Sequence, residues 1–165
     1  MSPFPAELVA LGAEVLDLAR PRGVRIATAE SCTGGLVSAA LTELPGASDV
    51  FVAGFVTYAD EAKRALLKVN SDVLETFGAV SIATAWSMAQ AALERADADV
   101  AVAITGIAGP GGGSERKPVG TVVFARALRG QDPSDVHAER KQFADQGRGG
   151  VRLQAALCAL ELLLP

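Results

Sequence analysis

The chain has 165 residues, two cysteines, a net charge of −4 and a pI near 5.0, which argues against the basic footprint of a nucleic-acid binder and against a disulfide framework. Half of it is hydrophobic and its mean hydropathy is +0.30, yet no apolar run approaches the ~20 residues of a membrane span, and MSPFPAELVA lacks the basic start of a signal peptide. These features predict one cytoplasmic domain over residues 1–165, large enough to bury a core, with no nucleic-acid or membrane partner; the apolar share hints at a homo-oligomer with surface buried between subunits.

Leu8, Leu11, Val15 and Leu18 fall at helical spacing within residues 5–19, and Arg20-Pro21-Arg22-Gly23 ends that helix. VRIATA (24–29) reads as a strand, and Gly34 to Leu44 as a helix stopped by Pro45-Gly46. VFVAGFVTYA (50–59) has the β-branched and aromatic composition of a strand. DEAKRALLKV (60–69) opens with Asp60, a residue type suited to an N-cap, and runs on as a short helix; Ser81 caps another that ends at Ala96. DVAVAITG (99–106) is nearly all apolar, as in a strand covered on both faces. A glycine- and proline-rich loop follows (107–120). Two strands come next, TVVFARAL (121–128) and the stretch around VHAERKQF (136–143), joined across RGQDPSD; GVRLQAALCALELL (150–163) is an amphipathic helix. This alternation implies an α/β fold, a helix-flanked, mostly parallel mixed sheet with an antiparallel pair near its end.

Ser31 lies just past the end of the first strand, where open α/β sheets bind ligands. The N–H groups of Cys32, Thr33, Gly34 and Gly35 fall at the predicted helix start, a place that holds an oxyanion or a phosphate. Ser31 is a nucleophile there, or it only caps the helix. The single histidine, His137, sits in a charged stretch that gives a Ser-His-Asp triad no support, and AESCTGG is not the G-x-S-x-G elbow.

Lys63 is the alternative base. It falls in the first turn of its helix, where the macrodipole disfavours an ammonium; to work near neutrality its pKa must come down from ~10.4 to about 7, mostly through burial or a second cation. Otherwise it is a solvated lysine balanced by Asp60 or Glu61. Tyr58, the only tyrosine, orients a substrate or relays a proton, or leaves its hydroxyl in water. Cys32 is a rival nucleophile, since helix N-termini favour thiolates. TGIAGPGGGSERKPVG (105–120) holds six glycines in sixteen residues. With Arg116 and Lys117 it suits a phosphate or carboxylate, or it is a mobile surface loop; it is neither G-x-G-x-x-G nor a P-loop. Arg148 and Arg152 pair with a phosphate or with nearby acids. Trp86 belongs to the core or to a subunit interface, and no cluster has metal-ligand spacing.

Four motifs in order, AESCTGGL, VTYADEAK, GAVS (78–81) and AITGIAGPGGGSERKPVGTV, resemble the CinA C-terminal domain family, the nicotinamide-nucleotide amidohydrolases, from about residue 6 to residue 163. The resemblance is to the stand-alone form, without the N-terminal domain of full-length CinA. It implies a three-layer α/β/α sandwich that hydrolyses the carboxamide of nicotinamide mononucleotide to nicotinate mononucleotide and ammonia, with no cofactor. It implies Ser31 as nucleophile, assisted by Lys63 and Tyr58, with Thr105, Gly106 and Gly109 lining the same pocket. On this reading the turn of Glu30, Cys32, Thr33, Gly34 and Gly35 contacts the substrate and its N–H groups receive the oxyanion. Thr105, the glycine loop and Arg148 hold the ribosyl phosphate. Two departures stand out. Asp60 stands where the family carries Asn, and its carboxylate would raise the Lys63 pKa unless occupied as an N-cap. FADQGRGGVR (143–152) alters the spacing of the family's F-x-G-D-R-x-x-I-R between Phe143 and Arg148. A non-catalytic nucleotide-binding module is the competing reading.

Overall fold

The computed structural model describes residues 1–144 and 146–165. Its elements, in chain order, are α1 (Ala6–Ala19), β1 (Ile26–Glu30), α2 (Leu36–Thr42), β2 (Phe51–Val56), α3 (Asp60–Leu67), α4 (Ser71–Phe77), α5 (Ile82–Ala96), β3 (Val100–Gly106), β4 (Thr121–Leu128), β5 (His137–Gln142) and α6 (Gly147–Leu162). The layers follow from the alternation of side chains along the strands. Ile26, Val100, Val102, Ile104, Val122 and Phe124 share one face, under α1, α2 and α6. Ala27, Ala29, Ala101, Ala103, Ala125 and Ala127 share the other, under α5 with Leu67 of α3 and Leu74 of α4 beside it. Small residues on the sheet meet Ala85, Ala89 and Ala92 of α5, so that helix lies close against the strands, whereas branched and aromatic residues fill the wider gap on the other side. The result is a three-layer α/β/α sandwich.

The sheet order is β2-β1-β3-β4-β5. β1 pairs in parallel with both β2 and β3, and β4 runs antiparallel to both of its neighbours. Only β4 is reversed, so the mostly parallel expectation holds for strand direction. Glu30, Val56 and Gly106 therefore end their strands on the same edge of the sheet, with Thr121 and Gln142 paired there too. The chain leaves β1 for β2 on one side and returns to β3 on the other, which opens a crevice above the end of β1.

Several local expectations are corrected. The buried stripe of α1 runs through Leu8, Val15 and Leu16, while Leu18 is exposed. α2 begins at Leu36 instead of Gly34, because Gly34 and Gly35 hold φ of 60° and 97°, outside the helical region. Asp60 is not the N-cap of α3. Ala59, extended at φ −84° and ψ 157°, takes that position, and Asp60 is the first helical residue. α4 has no counterpart among the predicted elements; Asn70 caps it, accepting from Asp72 N–H at 2.7 Å. Ser81 does cap α5, accepting from Thr84 N–H. The altered spacing between Phe143 and Arg148 falls partly on Asp145, which lies outside the described residues. Among the described residues no helix is long and apolar enough to cross a membrane.

Candidate active site

β1 delivers Ser31 directly to the crevice. The Ser31 N–H donates to Ile104 O at 2.9 Å, extending the β1–β3 ladder by one residue. The chain then turns sharply: Gly34 N–H returns to Ser31 O at 3.0 Å and Leu36 N–H to Thr33 O at 3.1 Å. Neither Cys32 N–H nor Gly35 N–H has a hydrogen-bond acceptor among the described residues. Of the four N–H groups expected to face an oxyanion, Gly34's is thus used within the turn, and Thr33 is fully buried. Those of Cys32 and Gly35 remain available.

The first turn of α2 is already occupied. Glu30, the last residue of β1, is fully buried, and four donors reach its side chain: Thr33 Oγ1 at 2.7 Å, Val37 N–H at 2.9 Å, Ser38 N–H at 3.0 Å and Ser38 Oγ at 2.7 Å. The two N–H groups are among those a helix start leaves without intrahelical partners. The helix start expected to bind an anion is therefore filled from within the chain, and Glu30 offers no free oxygen to a ligand. Ser38 Oγ also hydrogen bonds Thr28 Oγ1 at 2.7 Å. Gly54 of β2 leaves the space for this cluster, since a Cβ there would stand 2.9 Å from Thr28 Oγ1 and closer still to Ser38 Oγ.

Ser31 does not cap α2; no side chain does so from the N-cap position. Its hydroxyl lies 2.9 Å from Lys63 Nζ and donates to Tyr58 O over 3.4 Å. Lys63 is 1% exposed, and its Nζ also donates to Thr57 O at 2.8 Å and Tyr58 O at 3.1 Å. No carboxylate forms an ion pair with it among the described residues. Burial pushes the Lys63 pKa below the ordinary lysine value, and the charges of Asp60 and then Cys32 pull it partly back. Its three acceptors, Thr57 O, Tyr58 O and Ser31 Oγ, are all uncharged, so none of them holds the proton on the amine as a carboxylate would. A solvated lysine is excluded. Cys32 behaves oppositely, since burial pushes its thiol up to about 11 and leaves it protonated near neutrality.

Tyr58 contributes its main chain to this pair, while its ring, 56% exposed, points elsewhere. The phenol oxygen accepts from Arg148 Nη2 at 2.6 Å, and Arg148 Nη1 donates to Gly109 O at 2.8 Å. Arg148 thereby ties the tyrosine, the glycine loop and the start of α6 together at the mouth of the crevice. One turn further along α6, Arg152 donates through Nε to Cys32 O at 3.2 Å and through Nη2 to Thr33 O at 2.9 Å. Among the described residues no acid forms an ion pair with it.

Thr105 is buried and donates to Ala79 O at 2.9 Å, holding the 78–81 segment to the end of β3. Gly106 packs against Cys32, whose sulfur would be 3.1 Å from a Cβ at that position. Lys117 Nζ reaches back to Phe77 O at the end of α4, so the loop's two cations do not act together. His137 lies at the start of the edge strand β5 beside Glu139. Trp86, half-buried, donates to Pro133 O. Among the described residues no three His, Cys, Asp or Glu side chains gather as metal ligands. A cavity of about 530 Å³ lies at the opposite end of the sheet, among Arg22, Val100, Arg126 and Leu162; it contains no nucleophile, and the Ser31 crevice is the site with chemistry. Two contributions escaped the sequence reading. The Thr57 carbonyl leaves no signature in a sequence, and the i, i+4 spacing of Arg148 and Arg152 gave only their shared helix face.

The CinA C-terminal domain matches residues 9–165. The chain belongs to that family. Within it, the nicotinamide-nucleotide amidohydrolase PncC of Escherichia coli (strain K12) is 45% identical over 159 residues, covering 96% of this chain and 93% of its own length. A CinA-like protein of Synechococcus sp. (strain RCC307) is 47% identical over 160 residues. The chain spans only 38% of that CinA-like protein, and about a third of the length of other relatives of this longer kind. The crystal structure of the competence/damage inducible protein CihA from Agrobacterium tumefaciens superposes with a TM-score of 0.94 at 48% identity, over 99% of this chain and 97% of that one.

Proposed function

We propose that the chain hydrolyses the carboxamide of nicotinamide mononucleotide to nicotinate mononucleotide and ammonia, with Ser31 as nucleophile and Lys63 as its base. The observation that carries this reading is the 2.9 Å approach to Ser31 Oγ of a Lys63 Nζ that is buried and whose pKa burial lowers. The kinship with proteins named nicotinamide-nucleotide amidohydrolase supports the substrate.

Ser31 Oγ attacks the carboxamide carbon as its proton passes to the Lys63 lone pair. The developing oxyanion is received by Cys32 N–H, the amide that follows the nucleophile, with Gly35 N–H as the second donor. Lys63 then returns the proton to the departing nitrogen, ammonia leaves, and a nicotinoyl ester of Ser31 remains. Water hydrolyses that ester, with Lys63 again taking and returning a proton. The transfer is direct, since the Tyr58 hydroxyl is bound to Arg148 and not to Lys63. Tyr58 and Arg148, with Thr105, Gly106 and Gly109, form the wall against which the ribosyl phosphate sits. Glu30, Thr33 and Gly34 shape the turn and do not touch the substrate.

Purified protein incubated with nicotinamide mononucleotide is expected to release ammonia and nicotinate mononucleotide, and Ser31→Ala to bind the nucleotide without turning it over. Binding without turnover by the wild-type chain would replace this reading with that of a nucleotide-binding module. Undiminished turnover by Ser31→Ala would remove the nucleophile.

A further inference from the structure

We infer that Arg152 is a positioning residue for the oxyanion donor beside Ser31, acting through two peptide groups and never touching substrate; the inference rests on the amidohydrolase reading above. The contacts form a chain. Arg152 Nη2 donates to Thr33 O at 2.9 Å. The N–H on the far side of that same peptide, Gly34's, donates to Ser31 O at 3.0 Å. The N–H on the far side of the Ser31 peptide is that of Cys32. A trans peptide holds its C=O and N–H in one plane and pointing opposite ways. A cation on the first carbonyl therefore orients each plane in turn, and it polarises each N–H toward a stronger donor, since hydrogen bonds in series reinforce one another where water is excluded. The second arm, Arg152 Nε to Cys32 O at 3.2 Å, fixes the peptide between Cys32 and Thr33 and so locks the turn from its other side.

Other features argue against a binding role. Arg152 is tied to main-chain oxygens of the turn, and Gly34 lies close enough that a Cβ would stand 3.3 Å from its Nη2. Gly34 and Gly35 have positive φ, a backbone state that a bulkier residue would not hold. The guanidinium is thus a brace built into the turn, with its planar fork matched to two adjacent carbonyls.

The test compares Arg152→Lys, Arg152→Gln and Arg152→Ala with wild type, measuring kcat, KM, the pH profile and thermal midpoint with nicotinamide mononucleotide. We expect kcat to fall about 10- to 100-fold in the Gln and Ala variants, the range of a misaligned rather than deleted oxyanion donor, while KM stays within about threefold. The acidic limb of the profile should stay at the wild-type pH, because Lys63 is untouched. Guanidinium ion, added well below denaturing concentrations, should restore part of the kcat of Arg152→Ala. Arg152→Lys keeps the charge but not the fork, so it should lose kcat with an unchanged melting point, and it carries the test if the smaller variants do not fold. A rise in KM alone would make Arg152 a substrate-binding group, and unimpaired kcat in folded variants would remove its role; either result overturns the inference while leaving the amidohydrolase standing. Absence of turnover in the wild-type protein overturns both.

Discussion

Glu30 and Lys63 are the two fully buried side chains of opposite formal charge at the end of β1, and the chain treats them in opposite ways. Glu30 is 0% exposed and surrounded by four donors, two from the start of α2. Lys63 is 1% exposed and faces two carbonyls and a hydroxyl, with no ion pair to a carboxylate among the described residues. Burying a charge is costly unless partners replace its hydration. The acid has donors on both oxygens and shapes the turn; the amine has only uncharged acceptors and sheds its proton more easily than an ordinary lysine.

The largest expected effect breaks this pair on the reactive side. Lys63→Met should lower kcat at least ~10³-fold, yet cost less than about 1 kcal/mol of stability near pH 7, because it removes a buried ionisable group of similar shape. The sign of the pH dependence sharpens the point. Lys63 has a depressed pKa when folded, so the unfolded chain binds the extra proton and wild-type stability rises with pH up to the unfolded value near 10.4. The Met variant should lack that rise, visible as a gap between the two proteins' urea midpoints that changes as the pH is raised toward the unfolded value. Glu30→Gln breaks the structural side. It sets a new N–H₂ donor against existing donors and should cost about 2–3 kcal/mol in urea denaturation, with kcat falling as the turn loosens. Equal destabilisation by both variants would dissolve the contrast.

A smaller effect is expected from Asp60→Asn. Removing a carboxylate that holds the Lys63 pKa up should shift the acidic limb of kcat downward, by less than about one pH unit for a partly solvated charge. Control of a basic limb instead of an acidic one would mean the amine works as an ammonium. The smallest effect belongs to Cys32→Ala, which should keep kcat within about threefold, since the thiol contributes only its backbone N–H. Iodoacetamide at neutral pH should likewise leave activity unchanged.

Much of the scaffold was legible because one signal was strong. The nearly all-apolar run 99–106 predicts a strand covered on both faces, and it lies between the two helical layers. α4 has no counterpart in the sequence reading because SDVLETF is only seven residues long and, with its cap Asn70, opens on Asn-Ser-Asp, types shared by turns and helix starts. Asp60 was misplaced by one residue because an acid suits both the N-cap and the first turn, and only backbone angles decide. Ser31 and Lys63 could be nominated from their positions, but their meeting depends on Thr57 and Tyr58 carbonyls, which any sequence would supply. The partners of Tyr58 and Cys32 are arginines on α6, far along the chain. Contacts of that range follow from the sheet order and have no local trace.

Synthesis order gives that last point a physiological side. The chain emerges from the ribosome N-terminus first, so Ser31 and Lys63 are outside the tunnel while α6 is still being made. A nascent chain at that stage carries Ser31 and Lys63 but neither Arg148 at the crevice mouth nor Arg152 on the turn. It also lacks Val151, Ala155, Ala159 and Leu160, which close the core over the branched face of the sheet. The turn and the crevice mouth are therefore braced only once the final helix is made, and a translation product cut short before it would leave that face of the sheet uncovered.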